Sequence, residues 1–386
     1  MEFGKFSQQL TSEIKDLLSK FEISVGNITT LEIISNGRIN RSFSVTMHND
    51  NGFVSYILQR INTNVFKKPK ELMSNISAVT GHITKKGKET LHFRKVKEEY
   101  QKAEYGEYIY SDNGACWRLM NFIESDVKNQ ISDANDLISL GEAIGDFALT
   151  LSDFDASCLV ETIPGFHNTS ARLGKMVNRI ATIGLGSDAF LQTRCRDCKE
   201  EIESIILPKR TEKVGIIVDA IRLGAIPVRV SHNDPKLNNV LFDRYIVGKV
   251  KCVIDLDTVM PGTILYDFGD AVRYACNTES EESNNPQKVR INLEYFKAFC
   301  EGFIPVASLS EREASLLIDS VWLMTYELAI RFLDDHIDFN KYFGAESDGD
   351  NLRRARVQIA LLRDIEKNEA EMKKIASEIY FSKGRG

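Results

Sequence analysis

The segment from Val230 to Asp243 contains an acid, a cation and an amide within six residues, namely Asp234, Lys236 and Asn239. Phosphoryl transfer calls for such a set. A carboxylate accepts the proton of the attacking hydroxyl, an amide oxygen binds Mg²⁺, and a cation neutralises the transferring phosphate. The segment therefore predicts catalytic roles for Asp234 and Lys236 and a metal-binding role for Asn239.

A second carboxylate follows at the end of a predicted strand, as Asp255. Mg²⁺ needs this further ligand because the metal bridges the β- and γ-phosphates of the nucleotide. Asp267 opens the triplet Asp-Phe-Gly, which spells the metal-binding motif of protein kinases, but it follows a Pro-Gly turn. We therefore expect Asp255 to bind the metal, Asp267 to be a helix N-cap and Asp257 to be structural.

These motifs carry a resemblance. The form HNDPKLNN…VIDLDTVMPG resembles the aminoglycoside phosphotransferase and choline kinase superfamily rather than the protein kinases. Six stretches are similar to the bacterial N-acetylhexosamine 1-kinases: GRINRSFSV (37–45), YILQRINTNVFKKPKELMSNI (56–76), TIPGFHNTSARL (162–173), PVRVSHNDPKLNNVLFD (227–243), VIDLDTVMPGTILYDFGDAVR (253–273) and MTYELAIRFLDDH (324–336).

The resemblance implies a kinase that uses ATP and Mg²⁺ and phosphorylates a sugar hydroxyl, specifically the anomeric hydroxyl of an N-acetylhexosamine. It implies the same roles for Asp234, Lys236, Asn239 and Asp255, and it makes His232 a packing and hydrogen-bonding residue. Another small acceptor, such as a different sugar, an amino alcohol or an aminoglycoside, stays open, and so does a non-catalytic sugar or nucleotide sensor.

The resemblance also implies that the first third of the chain binds the nucleotide. The turn between the first two predicted strands would lie over the phosphates, and the end of the last strand there would be the hinge whose backbone reads adenine. The residues concerned are Gly37, Arg38, Ile39 and Asn40 in the turn and Met120, Asn121 and Phe122 at the hinge.

The third predicted strand departs from the family pattern, because it has no lysine for the α- and β-phosphates. Alternation puts Gln59 at that ATP-binding position. Either Arg60 or Arg38 supplies the charge, or the site relies more on Mg²⁺. The usual carboxylate partner of such a lysine would be Glu71, whose role is then open.

Acceptor-binding candidates are His167, Arg331 and Tyr342. Arg331 lies in an apolar predicted helix, where an unpaired guanidinium is costly to bury. Its partner could be Glu327 or Asp335, one turn away on either side, or a sugar hydroxyl or acetyl oxygen, which the matching arginine contacts in the resembling family.

A polycationic aminoglycoside would instead need a site lined by several carboxylates. The end of the same predicted helix could supply them with Asp334, Asp335 and Asp338. The residues alone leave both acceptor classes open.

The surrounding pattern predicts an α+β fold. Five strands and one inserted helix occupy the first third, and helices dominate after Glu124, with predicted helices at 135–152, 170–183, 188–206 and 212–223. With the resemblance, this indicates a two-lobed protein-kinase-like fold. Residues 1–121 would form a β-rich nucleotide-binding lobe, and residues 122–386 a larger helical lobe for catalysis and substrate binding.

Composition sets the remaining bounds. The 386 residues carry 49 Lys and Arg against 55 Asp and Glu, a net charge of −6 without the basic footprint of a nucleic-acid binder. No apolar run approaches the ~20 residues that a membrane span needs. The seven cysteines are scattered and odd in number, so we expect a reduced cytoplasmic protein, a monomer or homodimer, with ATP and a small sugar as its partners.

Overall fold

The computed structural model describes residues 8–34, 39–50, 52–128 and 130–382. The chain forms two compact units, each assembled from separate segments. The N-terminal unit comprises Met1–Asp126, Ser157–Ile163 and Ile254–Met260, and the C-terminal unit comprises Val127–Ala156, Pro164–Val253 and Pro261–Gly386. The assignment of nucleotide and acceptor roles to residues on either side of position 121 stays a prediction.

The N-terminal unit is built on an antiparallel sheet of six strands in the order β1-β2-β3-β6-β4, with β5 also paired to β6. Its elements are α1 (Gln8–Ser19), β1 (Asn27–Ile34), β2 (Arg41–Asn49), β3 (Gly52–Ile61), α2 (Pro69–Lys85), β4 (Phe93–Arg94), β5 (Tyr110–Asp112) and β6 (Ala115–Asn121).

Alternation explains the core of this unit. In β2, Phe43, Val45 and Met47 are buried on one face of the strand, where they meet Ile14 and Leu18 of α1 in one apolar cluster. Because side chains alternate along a strand, the other face of β2 is free for polar residues. This arrangement fixes which face of β3 and β6 carries the polar candidates described below.

The C-terminal unit is mostly helical. Its helices are α3 (Ala134–Thr150), α4 (Thr169–Leu185), α5 (Ala189–Asp197), α6 (Lys199–Ile205), α7 (Pro208–Thr211), α8 (Ile216–Arg222), α9 (Ile264–Ala275), α10 (Leu293–Val306), α11 (Glu311–Ser315), α12 (Leu317–Ile337) and α13 (Asp350–Ser382). Short strands accompany them: β7 (Asp126–Val127), β8 (Arg229–Ser231), β9 (Val240–Phe242), β10 (Val250–Val253) and β11 (Met260–Gly262).

Glycines let the central helices approach closely. A Cβ on Gly302 of α10 would lie 2.1 Å from the carbonyl oxygen of Ile138 in α3, and one on Gly269 of α9 would lie 2.5 Å from that of Ser320 in α12. Because real Cβ atoms do not approach so closely, these positions need glycine. The contact of α9 with α12 holds in place the helix that carries Asp267.

Some predicted elements differ from the observed ones. The single helix expected over 188–206 is α5 and α6, interrupted at Cys198, whose φ of −114° and ψ of 25° are not helical. The helix expected over 212–223 is the shorter α8. Among the described residues, no helix is long and apolar enough to cross a membrane.

Candidate active site

The loop after β8 brings together the acid, lysine and amide of the C-terminal unit. The Nζ atom of Lys236 lies 2.7 Å from Oδ1 of Asp234, and both side chains are partly exposed. The Nδ2 atom of Asn239 donates to the carbonyl oxygen of Asp234 at 2.8 Å. Since its nitrogen is used in this way, the amide oxygen of Asn239 is left as the possible metal ligand.

Asp267 holds this loop, and the expectation that it is a helix N-cap is wrong. The N-cap of α9 is Thr263, whose side chain accepts from Leu265 N. Asp267 is buried inside α9 and accepts hydrogen bonds from the backbone N–H groups of His232 at 2.9 Å and Asn233 at 2.7 Å. It also accepts from Ser231 Oγ at 2.9 Å. The Asp267 carboxylate does accept from backbone N–H groups, but these belong to the loop at His232 and Asn233 and not to the first turn of its own helix.

His232 packs as expected. Its side chain is buried, with the ring edge-on to Phe147 at a centroid distance of 5.8 Å. The backbone N–H of Asp234 donates to its Nδ1 at 3.3 Å. Asn233 has a φ of +66°, in the left-handed region. The bonds from Asp267 and His232 therefore stabilise an uncommon backbone conformation immediately before Asp234.

Charges around Lys236 keep it protonated. Burial by itself lowers the pKa of Lys236, but the carboxylates of Asp234, Glu281 and Asp270 outweigh it and raise the pKa above its usual value. Asp270 in turn bonds to Arg273, with Nε to Oδ1 at 2.8 Å. The lysine is therefore a fixed cation beside Asp234 at neutral pH. Sequence reasoning missed Asp270, because only the α9 register places it in this cluster.

Asp255 belongs to the N-terminal unit and has strained backbone. It follows β10, with φ +59° and ψ +52°, and precedes a 3₁₀ turn over Leu256–Thr258. A non-glycine residue in this region costs roughly 1–3 kcal/mol, so the surrounding contacts must hold it. One such contact is made two residues later by Asp257, whose Oδ2 accepts from Asn40 Nδ2 at 2.6 Å.

The phosphate-covering turn is only partly described. Gly37 and Arg38 lie outside the described residues. Ile39 is exposed. Asn40 is already bonded at both ends, because its Oδ1 also accepts from the backbone N–H of Asn62 at 2.9 Å. The amide of Asn40 therefore serves the structure of this unit, and its predicted nucleotide contact stays untested.

Gln59, at the position where the family pattern expects a lysine, contacts an arginine. In the register of β3 and β6 it lies opposite Arg118. Its Oε1 accepts from Nε of Arg118 at 2.8 Å and also from Nη2. Its Nε2 donates to Ser42 Oγ at 2.8 Å. Sequence reasoning missed Arg118, since the pairing of β3 with β6 joins residues 59 positions apart.

The predicted hinge lies at the end of β6. The backbone N–H of Asn121 donates to the carbonyl of His92 at 3.0 Å, and that of Phe122 donates to the carbonyl of Ser55 at 3.2 Å. Neither N–H group is left for a nucleotide base. Met120 is buried and Phe122 is exposed, so Met120 packs in the sheet whatever the backbone binds.

The acceptor candidates lie in the C-terminal unit. His167 and Glu327 are buried, and Nδ1 of the imidazole lies 2.9 Å from Oε1 of the carboxylate. Thr169 Oγ1 donates to Oε2 of Glu327 at 2.7 Å. Burial by itself raises the pKa of Glu327, but His167, Arg172 and Arg331 hold it below its usual value. Glu327 is therefore ionised at neutral pH.

Arg331 contacts aromatic rings, not the carboxylates that the sequence suggested. Its guanidinium lies 5.1 Å from the ring centroids of Phe166 and Phe343 and 5.6 Å from that of Tyr342. Its Nη2 is also 3.4 Å from the Tyr342 hydroxyl. A guanidinium stacked in this way keeps its charge and can still offer N–H groups in its plane. The structure thus brings Arg331 and Tyr342 together.

A second guanidinium adjoins this aromatic cluster. Arg172 donates to the carbonyl oxygen of Phe166, with Nε at 3.0 Å and Nη2 at 2.6 Å. Burial and the charge of Arg331 lower the pKa of Arg172, but not enough to deprotonate a group whose usual pKa exceeds ~12. Two positive charges therefore lie close together here.

The carboxylates at the end of α12 are all bonded within the unit. Asp334 pairs with Arg179 at 2.7 Å, and Asp338 pairs with the same arginine at 2.9 Å. Asp335 accepts from the backbone N–H groups of Tyr342 at 2.8 Å and Phe343 at 3.0 Å. These acids organise the protein, so they do not form the open acidic surface that a polycation would need.

Asn239 and Asp255 fit a magnesium ion by the chemistry of their donors. Both offer oxygen, and Mg²⁺ is usually bound through one or two protein carboxylates together with water and substrate phosphates. Across the described ranges, no group of three or more His, Cys, Asp or Glu side chains could hold a metal ion.

The fold is protein-kinase-like, with a β-sheet N-terminal region and a helical C-terminal region, as three solved structures show. A microcompartment-associated aminopropanol kinase matches with a TM-score of 0.59 and 13% identity, over 94% of this chain and 98% of that one. A choline kinase from Cryptosporidium parvum Iowa II gives 0.54 and 13%, over 96% and 99%. Spectinomycin phosphotransferase with ADP and spectinomycin gives 0.53 and 12%, over 97% and 98%.

Residues 30–289, which are more than half of the chain, match the phosphotransferase enzyme family, and the protein belongs to that family. The matched range includes Asp234, Lys236, Asn239 and Asp255. It ends before Arg331 and Tyr342, the two acceptor candidates that lie furthest along the chain. Family membership therefore supports the class of reaction and does not identify the acceptor.

Proposed function

We propose that this protein transfers the γ-phosphoryl group of ATP, with Mg²⁺, to the anomeric hydroxyl of an N-acetylhexosamine. Asp234 accepts the hydroxyl proton and Lys236 neutralises charge on the transferring group. Asn239 and Asp255 would hold the metal, which supplies charge neutralisation at the phosphates. The observation that carries the reaction is the loop of Asp234, Lys236 and Asn239, held by Asp267 from within a buried helix.

The anomeric hydroxyl suits this base. It is more acidic than an ordinary alcohol, so a carboxylate such as Asp234 suffices to accept its proton. Asp234 is also paired with a lysine that stays protonated.

A neutral sugar suits the acceptor candidates better than a polycation does. Arg331 and Arg172 lie beside Phe166, where Glu327 pairs with Arg172 at 3.5 Å and offsets part of their charge. Asp334 and Asp338 share Arg179, and Asp338 also pairs with Lys341. The carboxylates that an aminoglycoside would need are therefore already paired with side chains of the protein. An acetyl oxygen and ring hydroxyls can instead accept from guanidinium N–H groups, and a sugar face can pack on Tyr342.

A coupled assay of ADP release tests this proposal over N-acetylglucosamine, N-acetylgalactosamine, hexoses, amino alcohols and aminoglycosides. We expect turnover with an N-acetylhexosamine and a product with a new phosphorus NMR signal that is labile in mild acid, as a sugar 1-phosphate is. Turnover only with amino alcohols or aminoglycosides would overturn the acceptor assignment. Nucleotide binding with no ADP release from any acceptor would favour a sensor and overturn the proposed activity.

A further inference from the structure

The N-terminal unit contains a buried ion pair that joins its sheet to the Asp255 segment. The Nη2 atom of Arg118, on β6, lies 2.6 Å from Oδ1 of Asp257, and the two side chains are 3% and 4% exposed. This contact is an ion pair without the linear geometry of a hydrogen bond, whereas Oδ2 of Asp257 accepts a short hydrogen bond from Asn40. Both oxygens of Asp257 are therefore used.

Gln59 orients the arginine from the opposite side. Its Oε1 accepts from two nitrogens of the same guanidinium, Nε and Nη2, and its amide nitrogen is tied to Ser42. The third guanidinium nitrogen, Nη1, lies 3.6 Å from the sulfur of Met73 on α2. The ring of Phe93 lies 5.7 Å from the guanidinium carbon. Gln59, Met73 and Phe93 therefore hold the Arg118 guanidinium on the sides that Asp257 does not occupy.

In the family pattern, a lysine on the third strand pairs with a carboxylate on the following helix. In this protein the buried cation is Arg118 on β6, and its carboxylate partner is Asp257. A lysine at position 59 would face the Arg118 guanidinium and repel it. The carboxylate partner is not on α2, which presents Met73 to the arginine, but on the segment that begins with Asp255. A charge on the sheet is thereby tied to a carboxylate only two residues from the proposed metal ligand.

The backbone of Asp255 needs such support. Its left-handed conformation is unfavourable for a residue with a side chain, and it persists only where neighbouring contacts over-determine it. Beyond Asp257, the segment is held by Asn75, whose Nδ2 donates to the carbonyl of Val259 at 3.0 Å. The Arg118–Asp257 pair and the Asn75 bond fix the segment on its C-terminal side.

We propose that Arg118 is a positioning residue that acts through Asp257 to hold Asp255 ready for the metal, and that Gln59 is present to orient it. This inference rests on the proposed function, since Asp255 is assigned to Mg²⁺ there. Groups that orient a metal ligand usually affect metal affinity by 10–100-fold. Arg118 need not touch the nucleotide, because its charge is already balanced by Asp257.

Calorimetric titration of ADP into the full chain, with MgCl₂ and with EDTA, tests this role without relying on turnover. The quantity compared is the ratio of the two dissociation constants, which measures how much Mg²⁺ strengthens binding. Asp255→Ala removes the proposed metal ligand, so its ratio is the reference for ADP binding that Mg²⁺ no longer strengthens. We expect Arg118→Gln and Asp257→Asn each to reduce the ratio about 10-fold or more, while the dissociation constant in EDTA changes less than about twofold.

The double variant Arg118→Gln/Asp257→Asn should lose no more than either single variant, because both remove the same pair. Arg118→Lys keeps the charge but loses the planar fork, so an intermediate ratio is expected. Lys95→Gln, which breaks the exposed pair with Glu107, is the control for neutralising a charge in the same unit. Melting temperatures show whether each variant is folded at the titration temperature, and Arg118→Lys provides a test if Arg118→Gln is not.

Several outcomes overturn the inference. An unchanged ratio in folded Arg118→Gln or Arg118→Lys would remove the positioning role. A loss of affinity in EDTA with an unchanged ratio would make Arg118 a direct phosphate ligand. Loss of the ratio in Arg60→Gln but not in Arg118→Gln would assign the charge to the exposed neighbour of Gln59. Wild type without Mg²⁺-dependent ADP binding would instead overturn the proposed function itself.

Discussion

The imidazole of His167 and the carboxylate of Glu327 form a buried pair, with Nδ1 and Oε1 2.9 Å apart. Because the ionised carboxylate of Glu327 can only accept, Nδ1 of His167 donates to it. Nε2 of the same ring is buried and has no hydrogen-bond partner within the part of the chain that the structure describes. Nε2 is therefore the ring atom of His167 that is left for a further polar contact.

Glu327→Gln should therefore reduce stability in a pH-dependent way. The pKa of the folded carboxyl is below its usual value of 4.5, so ionised Glu327 stabilises the fold above about pH 4.5, and this contribution disappears as pH falls through the folded pKa. We expect the free energy of unfolding to differ from wild type by about 2–4 kcal/mol at pH 7, with a smaller difference at lower pH.

Urea unfolding at several pH values measures this difference. The matched control is Glu301→Gln, which removes an exposed carboxylate paired with Lys297 on α10. That variant should stay within about 0.5 kcal/mol of wild type throughout. The pH series must extend below 4.5, to about pH 3, because the contribution of a carboxylate with a lowered pKa is lost only there. A Glu327→Gln curve that stays parallel to wild type down to that pH would show that the pKa of Glu327 is not lowered in this pair.

Arg331→Lys should weaken acceptor binding and leave nucleotide binding unchanged. Lysine retains the charge but has no planar guanidinium to lay against the rings of Phe166 and Phe343, and it cannot present two N–H groups in one plane. We expect KM for the acceptor to rise about 10-fold or more, as the loss of a charged hydrogen bond implies, with KM for ATP within about twofold. Steady-state kinetics with each substrate varied in turn make this comparison.

The control is Arg222→Lys, because the Arg222 guanidinium is exposed and pairs with Asp219 one turn away. If Arg331→Lys changes both KM values equally, or neither, the arginine does not belong to the acceptor site. The same measurement with Tyr342→Phe tests whether the 3.4 Å contact between the tyrosine hydroxyl and Arg331 matters.

The site residues that are close together in sequence could be predicted. The contacts between residues distant in sequence, which helix packing and strand pairing create, could not. Asp234, Lys236 and Asn239 lie within six residues, so their proximity follows from the chain itself. Asp267 was assigned to the wrong backbone groups because its partners, Ser231 to Asn233, are more than thirty positions away. Helix packing, which requires Gly269 against Ser320, brings them together.

The contact of Arg118 with Gln59 in the sheet could not be predicted either. Alternation correctly indicated the face of Gln59, but the arginine opposite it depends on the β3–β6 register, which hydrophobic patterning did not specify. The α+β class was predictable because strand and helix periodicities separate cleanly along the chain. The aromatic partners of Arg331 were not predictable, since they come from two segments distant from it in sequence, at Phe166 and at Tyr342 and Phe343.

Asp234→Asn should lower turnover by about 10²–10⁴, the usual range for removing a general base, while KM for ATP stays within about threefold. The asparagine preserves shape but cannot accept the hydroxyl proton, and it also leaves Lys236 without its partner at 2.7 Å. Asp243→Asn is the control, since Asp243 is a half-buried carboxylate that accepts from backbone N–H groups in the turn after β9. Near-normal turnover in Asp234→Asn would remove Asp234 from the role of base.

Asp267→Asn should disturb the position of the loop that carries Asp234 without removing the proposed catalytic groups of that loop. Oδ1 of Asp267 accepts from Ser231 and Asn233, and Oδ2 accepts from the N–H of His232. An asparagine keeps one oxygen and turns an N–H₂ group toward a backbone N–H, which leaves a buried donor unpaired at a cost of about 1–3 kcal/mol.

We expect kcat to fall about 10²-fold, because the loop that carries Asp234 shifts, while the pH dependence of kcat keeps the shape of wild type. Differential scanning calorimetry and a pH profile of turnover measure the two effects. Asp267→Glu serves as the paired variant, since it restores both acceptors but lengthens the side chain. If Asp267→Asn lowered the melting temperature without changing kcat, the carboxylate would stabilise α9 and not the loop, because only a shift of Asp234 connects this buried group to the rate.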